Sequence, residues 1–344
     1  FCLSRGLGDV YKRQDLKWER TGQFDIGLDL GLFNNRLRIT TDYYKKKTTD
    51  LLYSVAVPAT SGYQTMLKNI GSIENQGYEL SIESDNLTGA FSWTTAFNIA
   101  FNRNKVLELG GEEYKEMAEG DGHLKTGSVR RLIVGEPIGV FYGYRFDGIF
   151  QNEEECKQQT SSASPIGVGL RRYKDLNGDG KVDAANDREI LGDANPKFFG
   201  GLTNTFAYKG FELNVFLQYS YGNKILNYNA MELENPTGGQ NAYADMVNRW
   251  TPENPSNIYP KATTNRALLV SDRFIEDGSY LKLKTLSLSY SFPKINLKHI
   301  QGLRLYVTGQ NLLTWTKYRG YDPEVSYRGA STLEAGEDFG GYTQ

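Results

Sequence analysis

The feature that most constrains this chain is a two-residue alternation that comes in paired segments. In "FDIGLDLGL", Phe24, Ile26, Leu28, Leu30 and Leu32 alternate with Asp25, Gly27, Asp29 and Gly31. After a tight "FNN" turn, "RLRITTDYY" sets Leu37, Ile39 and Tyr43 against Arg36, Arg38, Thr40 and Asp42. Successive side chains on a strand point to opposite faces, so each segment reads as a strand with one apolar and one polar face. A second pair, "GYELSIES" and "AFSWTTAFNIAFN", joins near Asn86 to Gly89, and a third, "GGLTNTFAY" and "FELNVFLQYSY", joins through "KG". The fourth, "YLKLKTLSLSYSF" and "LRLYVTGQNLL", joins through residues 293–302.

The connections carry as much information as the strands. Within a pair they are short; between pairs they span residues 45–76, 103–198 and 222–278, with room for one or two more strands in residues 50–70. Outer-membrane barrels alternate short periplasmic turns with long outer loops in this way, and their tilted strands need about 9–11 residues to cross the bilayer. Tyr43, Tyr44, Tyr219, Tyr221, Tyr290 and Phe292 stand near strand ends, where interfacial aromatics belong. The expected fold class is all-β: an antiparallel meander forming part of a transmembrane β-barrel, with short periplasmic turns and long extracellular loops. The competing reading is a secreted β-sandwich binding module, whose half-buried strands alternate similarly. A polar face of Ser, Thr, Asn and Gly, rather than Lys and Glu, favours the barrel.

Composition excludes several classes. The net charge of −2 gives no field that would draw in nucleic acid, so no nucleic-acid partner is expected. No run of apolar residues is long enough for a membrane-spanning helix, a limit that does not touch barrels. Two cysteines, Cys2 and Cys156, make neither a disulfide framework nor a zinc site. Two histidines, His123 and His299, no G-x-S-x-G elbow and a solvated run at Glu153–Glu155 leave no catalytic constellation. The chain is not expected to be an enzyme.

One motif stands apart. In "KDLNGDGKVDAANDRE", Asp175, Asn177, Asp179 and Gly180 match the opening of an EF-hand-type loop, and Lys181 would offer its carbonyl. The closing acidic position holds Asn186, with Asp187 one residue late. The candidate metal set is therefore Asp175, Asn177, Asp179, Lys181, Asp183 and Asp187, around a structural Ca2+ that would tether the loop. The same residues also suit a turn held by Asx-type hydrogen bonds, or a degenerate relic of a metal loop. Elsewhere in the loops Tyr142, Tyr144, Tyr228, Tyr243 and Trp250 are candidates to stack on a ligand or meet a lid protein. "VFYGY" and "RFDGIF" read as a hairpin, and Asp147 has no evident partner.

Several strings are familiar. "DLKWERTGQFDIGLDLGLFNNRLRITTDYYKKKTTDLL", "NIGSIENQGYELSIES", "IGVFYGYRFDGIFQN", "DREILGDANPKFFGGLTNTFAYKGFELNVFLQYSYGNKI" and "LRLYVTGQNLLTWTKYRGYDPEVS" resemble SusC/RagA-type TonB-linked outer-membrane proteins of Bacteroidetes. The resemblance runs from Asp15 to about Val325. It implies a C-terminal piece of a barrel of about 22 strands with a plugged lumen, lacking the plug, the TonB-interacting segment, the first barrel half and the last strand. Residues 1–14 read as a non-native leader and 326–344 as an incomplete C-terminal loop. The resemblance further implies location in the outer membrane, contact with its lipid, and TonB-dependent uptake of oligosaccharides or peptides. A SusD-like surface lipoprotein would be the partner. A passive porin would differ only by lacking the plug. Alternation and resemblance together place Asp29, Arg36, Arg38, Asn98, Asn214 and Gln218 on the lumen face, and Ile26, Leu28, Phe97 and Leu217 on the lipid face.

Overall fold

The computed structural model describes residues 16–56, 65–117, 127–235, 241–264, 268–292, 302–325 and 335–340. Residues 1–14, read above as a leader, and His123, His299, the turn at 293–301 and most of 326–344 lie outside the described residues.

Eight strands form one antiparallel sheet: β1 (Arg20–Leu32), β2 (Leu37–Thr49), β3 (Ser72–Thr88), β4 (Phe91–Glu108), β5 (Phe198–Tyr208), β6 (Phe211–Tyr221), β7 (Tyr280–Phe292) and β8 (Leu303–Thr316). Each pairs with its sequence neighbours, so the sheet is an uninterrupted meander. The four expected hairpins are all present. Local chemistry sets the turns: Lys209 and Gly210, between paired Tyr208 and Phe211, have φ of 47° and 87°. Two consecutive positive φ values are the type I′ geometry that matches strand twist, and glycine adopts it without strain.

Register turns the one-dimensional alternation into two faces. Following the pairing across all eight strands, one rung reads Leu30, Ile39, Ile82, Phe97, Leu202, Leu217, Leu283 and Leu313, every member apolar. The adjacent rung reads Asp29, Thr40, Ser81, Asn98, Gly201, Gln218, Lys282 and Thr314, with no apolar side chain in it. A one-residue slip in any strand would break both rungs, so register is strongly specified. β-Bulges interrupt β7 between Leu283 and Thr285, and the rungs survive them.

The apolar rung lies between two aromatic bands on its own face. Loopward are Phe101–Phe198 and Phe198–Tyr221, with ring centroids 5.8 and 5.0 Å apart. Turnward are Trp93–Phe206 at 5.8 Å and Phe211–Tyr290 at 4.5 Å. Along β5 the bands are separated by the stretch from Phe198 to Phe206, about 27 Å at ~3.4 Å per residue. A tilt of about 40° brings that to roughly 20 Å along the membrane normal, close to the ~25 Å apolar belt of outer-membrane barrels. Tyr44 departs from the girdle expectation. It lies on the polar face and its hydroxyl donates to Asn102 Oδ1 at 3.1 Å.

No second large sheet stacks on this one among the described residues, which removes the sandwich reading. Residues 50–70 do hold two strands, Leu52–Ala56 and Thr65–Asn69, but they pair only with each other.

The long connections form a second body with its own core. Phe141, Leu226, Tyr228, Met231, Val270 and Phe274, contributed by two different loops, are at most 3% exposed and pack as one cluster. Val140–Tyr144 pairs with Arg188–Asp193, and Phe146–Ile149 pairs with Arg171–Tyr173. "VFYGY" and "RFDGIF" are thus not a hairpin; each finds a more distant strand. Asp147 does have a partner, Arg172, at 2.9 Å. Glu153–Glu155 begin a short helix, Glu153–Gln158, where their charge complements the helix N-terminus.

Candidate functional site

The candidate functional residues are those of the polar face and of the loop body packed against its loopward end. Several expected residues reach that wall. Asn98 Oδ1 accepts from Gly201 N at 2.9 Å, and Asn214 Nδ2 donates to Thr205 Oγ1 at 2.9 Å. Asp29 accepts from Thr40 at 2.7 Å. Arg38 pairs with Glu83 at 3.0 Å and Asp85 at 3.4 Å near the short-turn end. Arg36 departs from expectation: it sits in the turn, and its guanidinium donates to the carbonyls of Asp85 and Asn86, bracing the next hairpin.

The loopward end of the wall carries a charged cluster. Lys282 Nζ, essentially buried, donates to Asp322 Oδ1 at 2.9 Å and to Glu324. Lys284 reaches Glu324 at 2.8 Å, and Gln218 Nε2 donates to the same carboxylate at 3.1 Å. The segment Asp322–Glu324 is thereby latched onto the polar face. Burial pushes the Glu324 carboxyl up, but hydrogen bonds from Lys282 and Lys284 outweigh it and hold the group down at about 2. A depressed folded value means that the ionised form stabilises the latch. That contribution is complete above about 4.5, the ordinary value, and is lost as pH falls toward about 2. Hydrogen-exchange protection of residues 320–325, taken relative to the intrinsic rate at each pH, is therefore expected to be unchanged from neutral pH down to about 5 and to fall below about 4.

Alternation shows where a strand residue faces, but not which acid 40 residues away it meets, so this cluster was missed. The one available signal was an unusual pair of lysines in "YLKLK" together with the acids of "YDPEVS".

Loop aromatics proposed for stacking are used in packing. Tyr144 is 6% exposed and packs on Tyr173 at 5.7 Å, and Tyr228 is fully buried against Phe339. Trp250 Nε1 donates to Gln151 Oε1 at 3.0 Å. Tyr142 is half-buried beneath the Arg131 guanidinium, 3.9 Å from its ring centroid. Tyr243 is likewise partly buried, at the edge of the loop core.

The Asp/Asn/Gly loop divides its carboxylates into two hydrogen-bonded groups. Asp175 accepts from Gly178 N and Gly180 N, both at 2.7 Å, and Asp179 from Lys181 N at 2.8 Å. Asp187 is fully buried and accepts from Leu176 N and Asp183 N, both at 2.7 Å. Asp183 caps Ala185 and Asn186 at 3.0 Å, and the Asn186 amide chiefly holds its carboxyl low. Among the described residues no three His, Cys, Asp or Glu side chains converge to hold a metal ion. The loop's side-chain oxygens accept from its own backbone amides, as in Asx turns. Asp187→Ala removes the acceptor of two part-buried amides, each hydrogen bond worth about 0.5–1.5 kcal/mol, and limited proteolysis is expected to cut selectively at 174–189.

Comparison with known proteins fits this architecture. Residues 5–312 match the family "TonB dependent receptor-like, beta-barrel". TonB-dependent receptor P3 of Formosa agariphila is 40% identical over 96% of this chain and 34% of its own length. TonB-dependent receptor SusC of Bacteroides thetaiotaomicron is 30% identical over 91% of this chain and 30% of its own length. Among solved structures, the RagAB peptide transporter superposes with a TM-score of 0.73 at 28% identity, covering 90% of this chain and 33% of that one. The chain spans about a third of the length of the relatives it matches. It belongs to the TonB-dependent receptor β-barrel family, and is an outer-membrane protein of SusC type.

Proposed function

We propose that the complete receptor containing this chain imports oligosaccharides or peptides across the outer membrane, driven through TonB. A SusD-like surface lipoprotein would be seated on the loop body. The observation that carries this reading is the pair of uninterrupted rungs: an apolar outer belt backing a polar inner wall. That wall offers Asp29, Asn98, Asn214 and Gln218 to a hydrated solute. The loop body supports the partner assignment, because a shared core gives it a fixed surface on which another protein can dock. SusC and the RagAB peptide transporter are the similar proteins behind the substrate classes. No chemistry on the solute belongs to this reading.

The test is uptake of labelled oligosaccharides and peptides by cells with and without the receptor, each in TonB-intact and TonB-deficient backgrounds, with affinity purification of the receptor from cross-linked outer membranes. Receptor- and TonB-dependent uptake and a co-purifying surface lipoprotein are expected. Uptake that persists without TonB would make the protein a passive pore.

A further inference from the structure

The polar wall carries an aliphatic patch at the loopward end of β3 and β4. Ile73 and Val106 are cross-strand partners on β3 and β4. Each is separated from the polar rung residue of its strand, Ser81 or Asn98, by an even number of unbulged positions, so both face the enclosed side. Together with Leu51, Ile70, Leu132 and Ile138 they line a cavity of about 260 Å³. Among the described residues no aromatic ring lines it, and Glu108 and Lys115 are the only charged ones that do.

Its walls are fixed by backbone bonds. Val106 N donates to Glu136 O at 2.9 Å, Gly135 N to Val106 O at 2.8 Å, and Ile138 N to Asn104 Oδ1 at 2.6 Å. On the other side Ile70 N donates to Leu51 O at 2.9 Å. The cavity is therefore preformed, at the boundary between inner wall and loop body where a solute entering the lumen would pass.

We infer that this cavity is a subsite for one aliphatic side chain of a peptide, which makes peptides the cargo rather than oligosaccharides. The inference rests on the import reading above. Its size falls just below the ~300–1,000 Å³ of pockets that enclose whole drug-sized ligands, so it suits one side chain of a longer molecule. Aliphatic walls gain by burying a leucine or isoleucine side chain. A sugar ring placed there would bury hydroxyls without partners, and no aromatic face compensates.

The test uses the full-length receptor in detergent and three octapeptides that differ only in a central Leu, Asn or Asp, compared by titration calorimetry. The Leu peptide is expected to bind roughly tenfold or more tightly than the Asn peptide, the scale of one buried aliphatic side chain. Ile73→Phe, which fills the cavity, and Leu132→Ser, which makes it polar, should each bring the preference to within about twofold. Heat-dependent migration in detergent gels verifies that both variants keep their barrel. Equal binding of the three peptides, or a preference that survives both substitutions, overturns the subsite. TonB-dependent uptake of oligosaccharides with no peptide binding overturns the peptide assignment and leaves import standing. Absence of TonB-dependent uptake of either class removes the import reading and this inference with it.

Discussion

Ile82→Arg is expected to abolish assembly of the full-length receptor in the outer membrane, whereas Ser81→Arg, one residue away, leaves it assembled. Ile82 belongs to the apolar rung, midway between the aromatic bands, and Ser81 to the polar one. Arginine at the lipid-facing midplane of a barrel costs about 2–4 kcal/mol, a large part of the stability of most folds. On the inner wall the same side chain would join Arg38, Glu83 and Asp85, which already form exposed ion pairs there. Receptor abundance in purified outer membranes and heat-dependent gel migration report the difference. Similar behaviour of the two variants would contradict the face assignment.

The second large effect belongs to the loop body. Arg130 and Glu337, each 2% exposed, pair at 2.8 Å. The guanidinium also donates to Gly139 O at 2.8 Å and to Ala335 O, and lies 4.3 Å from the centroid of Phe141 in the core. Removing one partner of a buried pair leaves an uncompensated charge and costs about 3–5 kcal/mol. Arg130→Ala is therefore expected to open the loop body to protease while the membrane-embedded sheet stays resistant. Arg130→Met combined with Glu337→Leu should recover much of the loss, because an apolar pair of similar volume leaves no buried charge. Arg38→Ala, which breaks an exposed pair, should leave stability nearly unchanged.

These two sites differ in how legible they were. Strand alternation is a local property, and register follows once one face must be apolar, so Leu30, Phe97 and Leu217 could be placed on one face from the chain alone. The loop body obeys no such period. "VFYGY" pairs with Arg188–Asp193 rather than with the adjacent "RFDGIF", because a shared core built around Phe141 and Val270 selects the partner. The latch from Lys282 to Glu324 and the pair Arg130–Glu337 likewise join residues far apart in sequence. The Asp/Asn/Gly loop shows a different limit: metal loops and Asx turns select the same residues at the same spacing, so the sequence leaves both open. In the structure Asp175 and Asp187 accept from backbone amides, as in Asx turns.

The central claim is that one face of this sheet meets lipid and the other an aqueous interior. The most direct measurement places single cysteines at successive β3 positions, Leu80, Ser81, Ile82 and Glu83, in the full-length receptor with its native cysteines replaced. Each is probed with a membrane-impermeant thiol reagent and with a fluorophore quenched by brominated lipid. Lipid quenching at positions 80 and 82, with aqueous labelling at 81 and 83, is the expected result. Aqueous labelling at 80 and 82, or loss of the alternation altogether, would contradict it.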